Sequence, residues 1–380
     1  MNEIYREERM SAVIKEDFIP IPKQVVNHDI MNCTADGVVG NHLYSGRALG
    51  LSEPWDLIQL HPELEPFYCY ISSHYKRVGL THSKQVLWDL DLKHLGAHIG
   101  YQPSVFFFGP HECKFWGDQQ WMETVDFINS KNNFMNLAAE LNVDVPQTIC
   151  FDDVNAISKD MLDIFTYPCY LKAAISVSGV GIYRCEDKVE LIEAIDKFES
   201  NVPVQIQEEI ITEHFLNMQY QVIGDELIRL TASEQILDGF VHQGNRVPSS
   251  HQPWNSVEPM AVWLKDHGIK GIFAFDVAIV QTPKGLRFPA IECNPRFNGA
   301  SYPTLIAQKL GITEWNSVTL STKHNNFDQL DFSDIEYNKE TGEGMIIVNW
   351  GTILVGKLML LLAGSKEYQE ALLVELKSRL

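Results

Sequence analysis

The segment from Tyr167 to Cys185, YPCYLKAAISVSGVGIYRC, constrains this chain more than any other. Two strand-like runs, Cys169–Ala173 and Gly181–Cys185, flank a run of serine and glycine, which reads as a strand, a small-residue turn and a returning strand. Lys172 projects from the first strand, and Ser176, Ser178, Gly179 and Gly181 follow it. Small residues let backbone N–H groups approach phosphate oxygens, and the hydroxyls add donors. The spacing G-x-x-x-x-G-K-[ST] is absent and the turn leads into a strand, so this is neither a P-loop nor a G-x-G-x-x-G fingerprint. Taken alone, it is either a flap over a ligand or an ordinary tight turn.

Two further segments carry chemistry. GIFAFDVAIV, Gly271 to Val280, precedes IECNPRFNGAS, Ile291 to Ser301. Glu292 and Asn294 are two apart on an extended segment and share one face, and Asp276 lies on a preceding strand able to pair with it. Three oxygen donors converging in this way suit Mg²⁺, or Mn²⁺, bridging nucleotide phosphates. Arg296 follows, placed to neutralise charge on a transferring phosphoryl group. The competing explanation is a solvated acidic loop with an arginine salt bridge. VQIQEEI, Val204 to Ile210, is a strand ending in Gln207, Glu208 and Glu209, whose backbone can meet an adenine edge with carboxylates nearby, Glu213 among them, able to hold ribose hydroxyls; a surface strand that simply ends in charges is the competing explanation. Ahead of these, Phe134, Leu137, Ala138 and Leu141 lie on one face of a helix over Lys131–Leu141 capped by Asn129 or Ser130, with Lys131 in its first turn.

The order of these parts resembles the ATP-grasp superfamily. A lysine opens a helix, a second precedes a Gly/Ser flap, and a Q-E-E strand end, a strand aspartate and E-x-N-P-R-x-x-G-x-S follow, over roughly residues 129–312. The resemblance implies that Lys131 and Lys172 bind phosphates under the Ser176–Gly181 flap. It implies that Gln207, Glu208, Glu209 and Ile210 form the adenine hinge and that Asp276, Glu292 and Asn294 hold the metal. Arg296 and Lys172 are then the catalytic residues. One departure stands out: Ala274 occupies a position where some relatives carry an arginine, so Arg229 or Arg296 must serve the intermediate. The flanks, DGVVGNHLYSGRALG with DLIQLHPEL and the terminal GMIIVNWGTILVGKLMLLLAG, resemble the subgroup with a pre-ATP-grasp domain, which includes the pheganomycin-type peptide ligase and the butirosin-type carrier-protein ligase.

The fold class expected is therefore α/β (α+β). A pre-ATP-grasp α/β domain spans 1–128 and an ATP-grasp domain 129–322, with two subdomains clamping ATP and the flap-bearing one near 145–205. A C-terminal strand-helix segment spans 323–380. The resemblance implies a ligase that joins a small-molecule carboxylate, such as an amino acid, to an amine through an acyl phosphate, releasing ADP and phosphate. A carrier-protein thiol as acceptor, or a small-molecule kinase on the same scaffold, stays open. Asn298 and Ser301, with Arg229, are further substrate-binding candidates. The stretch Asp238–Ser250, with His242 and Arg246, either binds the carboxylate substrate or is a surface turn.

Composition narrows the classes. A formal net charge of -20 excludes nucleic acid as the main partner, which needs a basic surface. Seven cysteines, an odd number without a C-x-x-C pair, suit reduced thiols and a cytoplasmic setting. The N-terminal residues show no apolar signal region. Met345–Gly364 is apolar enough to suggest a membrane span, but Asn349, Thr352 and Lys357 interrupt it, and a buried strand followed by a core helix is expected instead. Gly37–Gly50 is a Gly-rich connection that either turns or touches a ligand. A homo-oligomer is compatible with all of this.

Overall fold

The computed structural model describes residues 22–34, 39–176, 181–238 and 241–380. Ser178 and Gly179 of the expected flap lie outside the described residues. Three sheets of four or more strands organise the described residues, beside a two-stranded hairpin of Val280–Thr282 with Gly285–Arg287. The first is parallel, in the order Gln85–Leu87, Leu57–Gln59, Gln24–Asn27, Gln102–Val105. The second is antiparallel, in the order Thr148–Phe151, Val204–Glu208, Cys169–Ala173, Ile182–Cys185. The third has eight strands: Ala290–Asn294, Gly271–Ala278, Phe215–Ile223, Glu226–Asp238, Val241–Val247, Trp315–Ser321, Lys357–Ala363 and Gly344–Asn349, antiparallel throughout.

The small antiparallel sheet has its own apolar core. Phe151, Cys169, Leu171, Val204 and Ile206 share one face and pack on Leu191 and Ala194 of the helix Lys188–Ile195. Asp187 caps that helix, accepting from the backbone N–H of Val189 and Glu190. The short helix turns Leu191 and Ala194 inward and leaves Val189 and Ile192 exposed. Alternation leaves the opposite sheet face to Tyr170, Lys172, Gln205, Gln207 and Thr148, a polar set.

The eight-stranded sheet buries both ends. Met218, Tyr220, Phe273 and Phe275 pack on one side with Phe134 and Trp121. At the other end Trp350, Leu360 and Tyr302 share a core with Ile58, Leu64 and Tyr75 of the N-terminal region. Here the structure corrects the reading of Met345–Gly364. Its second half, Lys357–Ala363, is a strand paired on both sides, to Trp315–Ser321 and to Gly344–Asn349. The run LMLLL has good helix propensity, but pairing on two edges and burial on both faces prevail. Two adjacent, fully covered strands therefore mimic one long apolar span. Among the described residues no helix is long and apolar enough to cross a membrane. The loop expected at Asp238–Ser250 is likewise mostly a strand, Val241–Val247, paired to Glu226–Asp238.

A polar anchor fastens the N-terminal region to this sheet. His74 Nδ1 lies 2.6 Å from Glu336 Oε1, and His74 Nε2 accepts from the Ile347 backbone N–H at 3.0 Å. The imidazole is thus the neutral Nδ1–H tautomer, donating to the carboxylate. Arg77 donates to both Glu336 oxygens at 2.6 and 2.7 Å. Burial pushes Glu336 up, but Arg77 and His74 outweigh it and hold the carboxyl at about 2. A depressed folded pKa means that this contribution is complete above the ordinary carboxyl range and disappears as pH falls toward about 2. Breaking a fully buried pair costs ~3–5 kcal/mol; Arg77 is half exposed, so Glu336→Gln is expected to cost about 2 kcal/mol at pH 7. Urea unfolding should show the gap between wild type and variant narrowing below ~pH 4.

Candidate active site

Lys131 sits in the first turn of the helix Lys131–Glu140, where the helix dipole disfavours a cation by ~0.3–1 kcal/mol. Its position is fixed by backbone: Ser130 caps the helix, and the Lys131 N–H donates to Ala174 O at 2.7 Å. Asn132, buried beside it, donates to Phe151 O and Val204 O. The helix start is therefore fastened to the small sheet. The Lys131 ammonium reaches Ser176 Oγ at 3.0 Å and Glu292 Oε2 at 3.3 Å. A cation unfavourable for its helix is thus stationed between the flap base and the large sheet.

Lys172, on the polar face of the small sheet, donates to Gln207 Oε1 at 2.6 Å. Burial lowers its pKa to about 8, with Glu292 opposing the shift and Lys131 adding to it. Gly181 closes the flap base at φ +77, where a side chain is strained, and its carbonyl accepts from Ala173 N–H at 2.9 Å. Ser176 and Gly181 thus flank the base of the segment.

Across from these lysines, Asp276 and Glu292 are direct partners on adjacent strands. Asp276 Oδ1 accepts from Asn217 at 2.8 Å and Gln235 at 2.6 Å, and Oδ2 accepts from Asn294 at 3.0 Å. Burial and the neighbouring Glu292 carboxylate nonetheless raise Asp276 to about 7. Glu292 moves the other way: burial pushes it up, but Lys131 and Lys172 outweigh that and lower it. Asn294 uses its amide nitrogen on Asp276, which leaves its carbonyl oxygen available. Two carboxylates and an amide oxygen at one point form a hard-oxygen set that fits a divalent cation such as Mg²⁺ or Mn²⁺. A cation there would offset the burial and the Glu292 repulsion that together raise Asp276.

The remaining expected residues divide. Arg296 donates to Phe297 O at 3.1 Å and stacks over Phe106, two residues beyond Asn294. Asn298 reaches Asn217 Oδ1 at 3.4 Å, within the same network. His242 Nε2 lies 2.6 Å from Asn245 Oδ1, and its ring abuts Gly299, where a Cβ would stand 3.0 Å from Cε1. Ser301 is fully buried and braces the Asn298 turn rather than facing open space. Arg229 does not join the site. It pairs with Tyr220 in register, on the opposite face of the sheet, and is bound by Glu258. Arg246 also points away from the site, opposite Glu234 in register. With Ala274 fully buried and Arg229 remote, Arg296 is left as the arginine beside the carboxylates.

The strand end Gln207–Glu209 is partly engaged by protein. Gln207 donates to Thr148 Oγ1, and Glu208 exchanges hydrogen bonds with the Gln147 backbone. Glu209 is held by Arg184 and by the Tyr170 hydroxyl. Ile210 is half-buried beyond the strand end, and Glu213 is exposed on the following loop.

Sequence reasoning missed Asn217 and Gln235, which orient Asp276. The signal was present: FLNMQYQ alternates apolar and polar residues, placing Asn217 and Gln219 on one face with Asp276. Gln205, buried with both amide atoms unpaired among the described residues, is the partner of Lys172 in register and was also missed.

No protein-family model and no curated protein matches the chain. Solved structures do match. An N5-carboxyaminoimidazole ribonucleotide synthetase in its ADP complex is 13% identical over 95% of this chain and 97% of its own, with a TM-score of 0.58. The N5-carboxyaminoimidazole synthetase from Staphylococcus aureus, complexed with ADP, is 11% identical over 94% and 96%, also at 0.58. An L-amino acid ligase from Bacillus licheniformis is 13% identical over 76% and 82%, at 0.51. At these identities the likeness is one of fold: the chain has the ATP-grasp fold over most of its length.

Because Asp276 titrates near 7, cation binding must compete with its proton below that pH. Mg²⁺ or Mn²⁺ is expected to raise the melting temperature more at pH 8 than at pH 6. Asp276→Asn should remove the pH dependence of that shift in a thermal-melt titration.

Proposed function

We propose that this chain uses ATP and Mg²⁺, or Mn²⁺, to activate a small-molecule carboxylate, such as an amino acid, for attack by an amine. The product is an amide or peptide bond, released with ADP and phosphate. The observation that carries the reading is the meeting of Lys131 and Lys172 with the Asp276/Glu292/Asn294 set across one cleft.

Phosphoryl transfer to a carboxylate asks a protein mainly for positioning and for offsetting negative charge. The two lysines bind the phosphates from the small-sheet side, beside Ser176. Asp276, Glu292 and Asn294 would hold the cation, which when bound supplies neutralisation of phosphate charge. Arg296 stands beside that set and receives the carboxylate oxygen that becomes phosphorylated. Attack by the amine at the carbonyl carbon then expels inorganic phosphate. Gln207, Glu208, Glu209 and Ile210 line the adenine end. Asn298, joined to Asp276 through Asn217, and His242, linked at longer range through Asn245 and Ser233, are assigned to the acceptor side. ATP-grasp likeness to ligases that form carbon–nitrogen bonds supports an amine as acceptor, and the division into 1–128, 129–322 and 323–380 is part of the same proposal.

Two measurements test this reading. With ATP, Mg²⁺ and a panel of amino acids, hydroxylamine is expected to yield a hydroxamate in step with ADP release. ADP release without hydroxamate from any acid would point to a kinase instead. Glu292→Ala is expected to lower kcat at least a hundredfold, about 2.7 kcal/mol at the barrier, while circular dichroism stays native. Normal turnover in that variant would remove Glu292 from the site.

A further inference from the structure

Arg47 lies inside the 3-10 helix Asn41–Leu51, which connects the first two strands of the N-terminal sheet. It is only 6% exposed. Its guanidinium carbon stands 4.3 Å from the Tyr302 ring centroid, 4.5 Å from that of Phe106 and 4.9 Å from that of Tyr44. Aromatic faces therefore cover the guanidinium plane. Its Nε and Nη2 atoms, however, are buried without a hydrogen-bond partner among the described residues. Those two N–H groups lie along one edge of the fork, the edge that takes a carboxylate or phosphate by a two-point contact.

Burying a cation away from water is costly, and ring faces together with the Tyr302 hydroxyl offset that cost only in part while Nε and Nη2 stay unpartnered. A chain selected only for stability gains nothing from this arginine. The surroundings hold the half-buried carboxylate of Asp29, which feels the Arg47 charge without a hydrogen bond to it, and a second cation. Arg296 stands over the same Phe106 ring, 5.3 Å from its centroid. The two are joined by backbone as well, since Phe297 N–H donates to Phe106 O at 3.1 Å. Room exists beside them: a cavity of about 340 Å³ is lined by Ser104, Phe106, Arg296 and Phe297. Phe106 borders both this cavity and the Arg47 cage, which puts the guanidinium one ring away from that space.

We propose that Arg47 is a substrate-binding residue whose Nε/Nη2 edge takes an oxyanion, carboxylate or phosphate, of the small molecule that Arg296 faces. The proposal rests on the carboxylate-activating reading of the cleft and deepens it: the substrate, or its acceptor, carries a second anionic group that is not itself activated. An arginine from the N-terminal region would then select for that group, while Arg296 serves the reacting one.

The test uses the full chain and calorimetric titration with inorganic phosphate and with the common amino acids, in the absence of nucleotide. A non-hydrolysable ATP analogue with Mg²⁺ forms a separate arm. Wild type is expected to bind at least one probe, phosphate binding assigning the edge to a phosphate and amino-acid binding to a carboxylate. Arg47→Met should weaken that probe at least fivefold and leave analogue binding unchanged. It should also melt no lower than wild type, because an unpaired buried charge has been removed. Arg47→Lys, which keeps the charge without the fork, should fall between the two. Loss of analogue binding in wild type would count against the nucleotide reading alone. A loss smaller than fivefold in Arg47→Met, or in Arg47→Lys where the methionine variant does not fold, would overturn the role of Arg47, as would a wild type that binds none of the probes.

Discussion

Two carboxylates held opposite each other on neighbouring strands, Asp276 and Glu292, set the terms for the rest of this structure. Like charges 4 Å apart repel by ~4 kcal/mol at an effective dielectric constant of 20. The fold answers in two ways. On one side, Asn217, Gln235 and Asn294 aim N–H groups at Asp276. On the other, Lys131 reaches across from the small sheet to Glu292. The second answer has an architectural consequence. Lys131 is tied by backbone to Ala174, next to the end of the small-sheet strand Cys169–Ala173, so the ion pair bridges the small sheet and the large one.

The two carboxylates end up in different states, and the difference is what a cation seat requires. Glu292 is held ionised by two lysines, whereas Asp276 retains its proton to about 7 despite three donors. Hydrogen bonds alone do not repay the burial of a second negative charge; a divalent cation would. The same economy explains Lys172, whose pKa of about 8 reflects burial beside another cation. Phosphate oxygens arriving at this spot would favour its charged form. The site is thus electrostatically incomplete, with charges of both signs arranged around the place a metal–polyphosphate complex would occupy.

Much of this was legible in the sequence because the informative residues sit in short, regular elements. The strand Cys169–Ala173 and the helix starting at Lys131 fall where periodicity puts them, and Glu292 and Asn294 share a face as their spacing requires. What was not legible depended on tertiary pairing. Leucine-rich Lys357–Ala363 reads as helix until both its edges are seen to be taken. The placement of Arg229 follows from a bulge between Arg229 and Thr231 and from its register with Tyr220, neither of which spacing reveals. Arg47 was hidden by its glycine-rich surroundings, since only the folded chain brings Tyr302 and Phe106 around it.

The central claim is that the cleft joins a carboxylate oxygen to a phosphorus of ATP before any bond to the acceptor forms. Oxygen transfer tests it most directly. With a substrate carboxylate labelled with heavy oxygen, the account predicts that one labelled atom appears in each inorganic phosphate released, in step with product. Product formation with unlabelled phosphate would contradict it, because the carboxylate would then never have been phosphorylated.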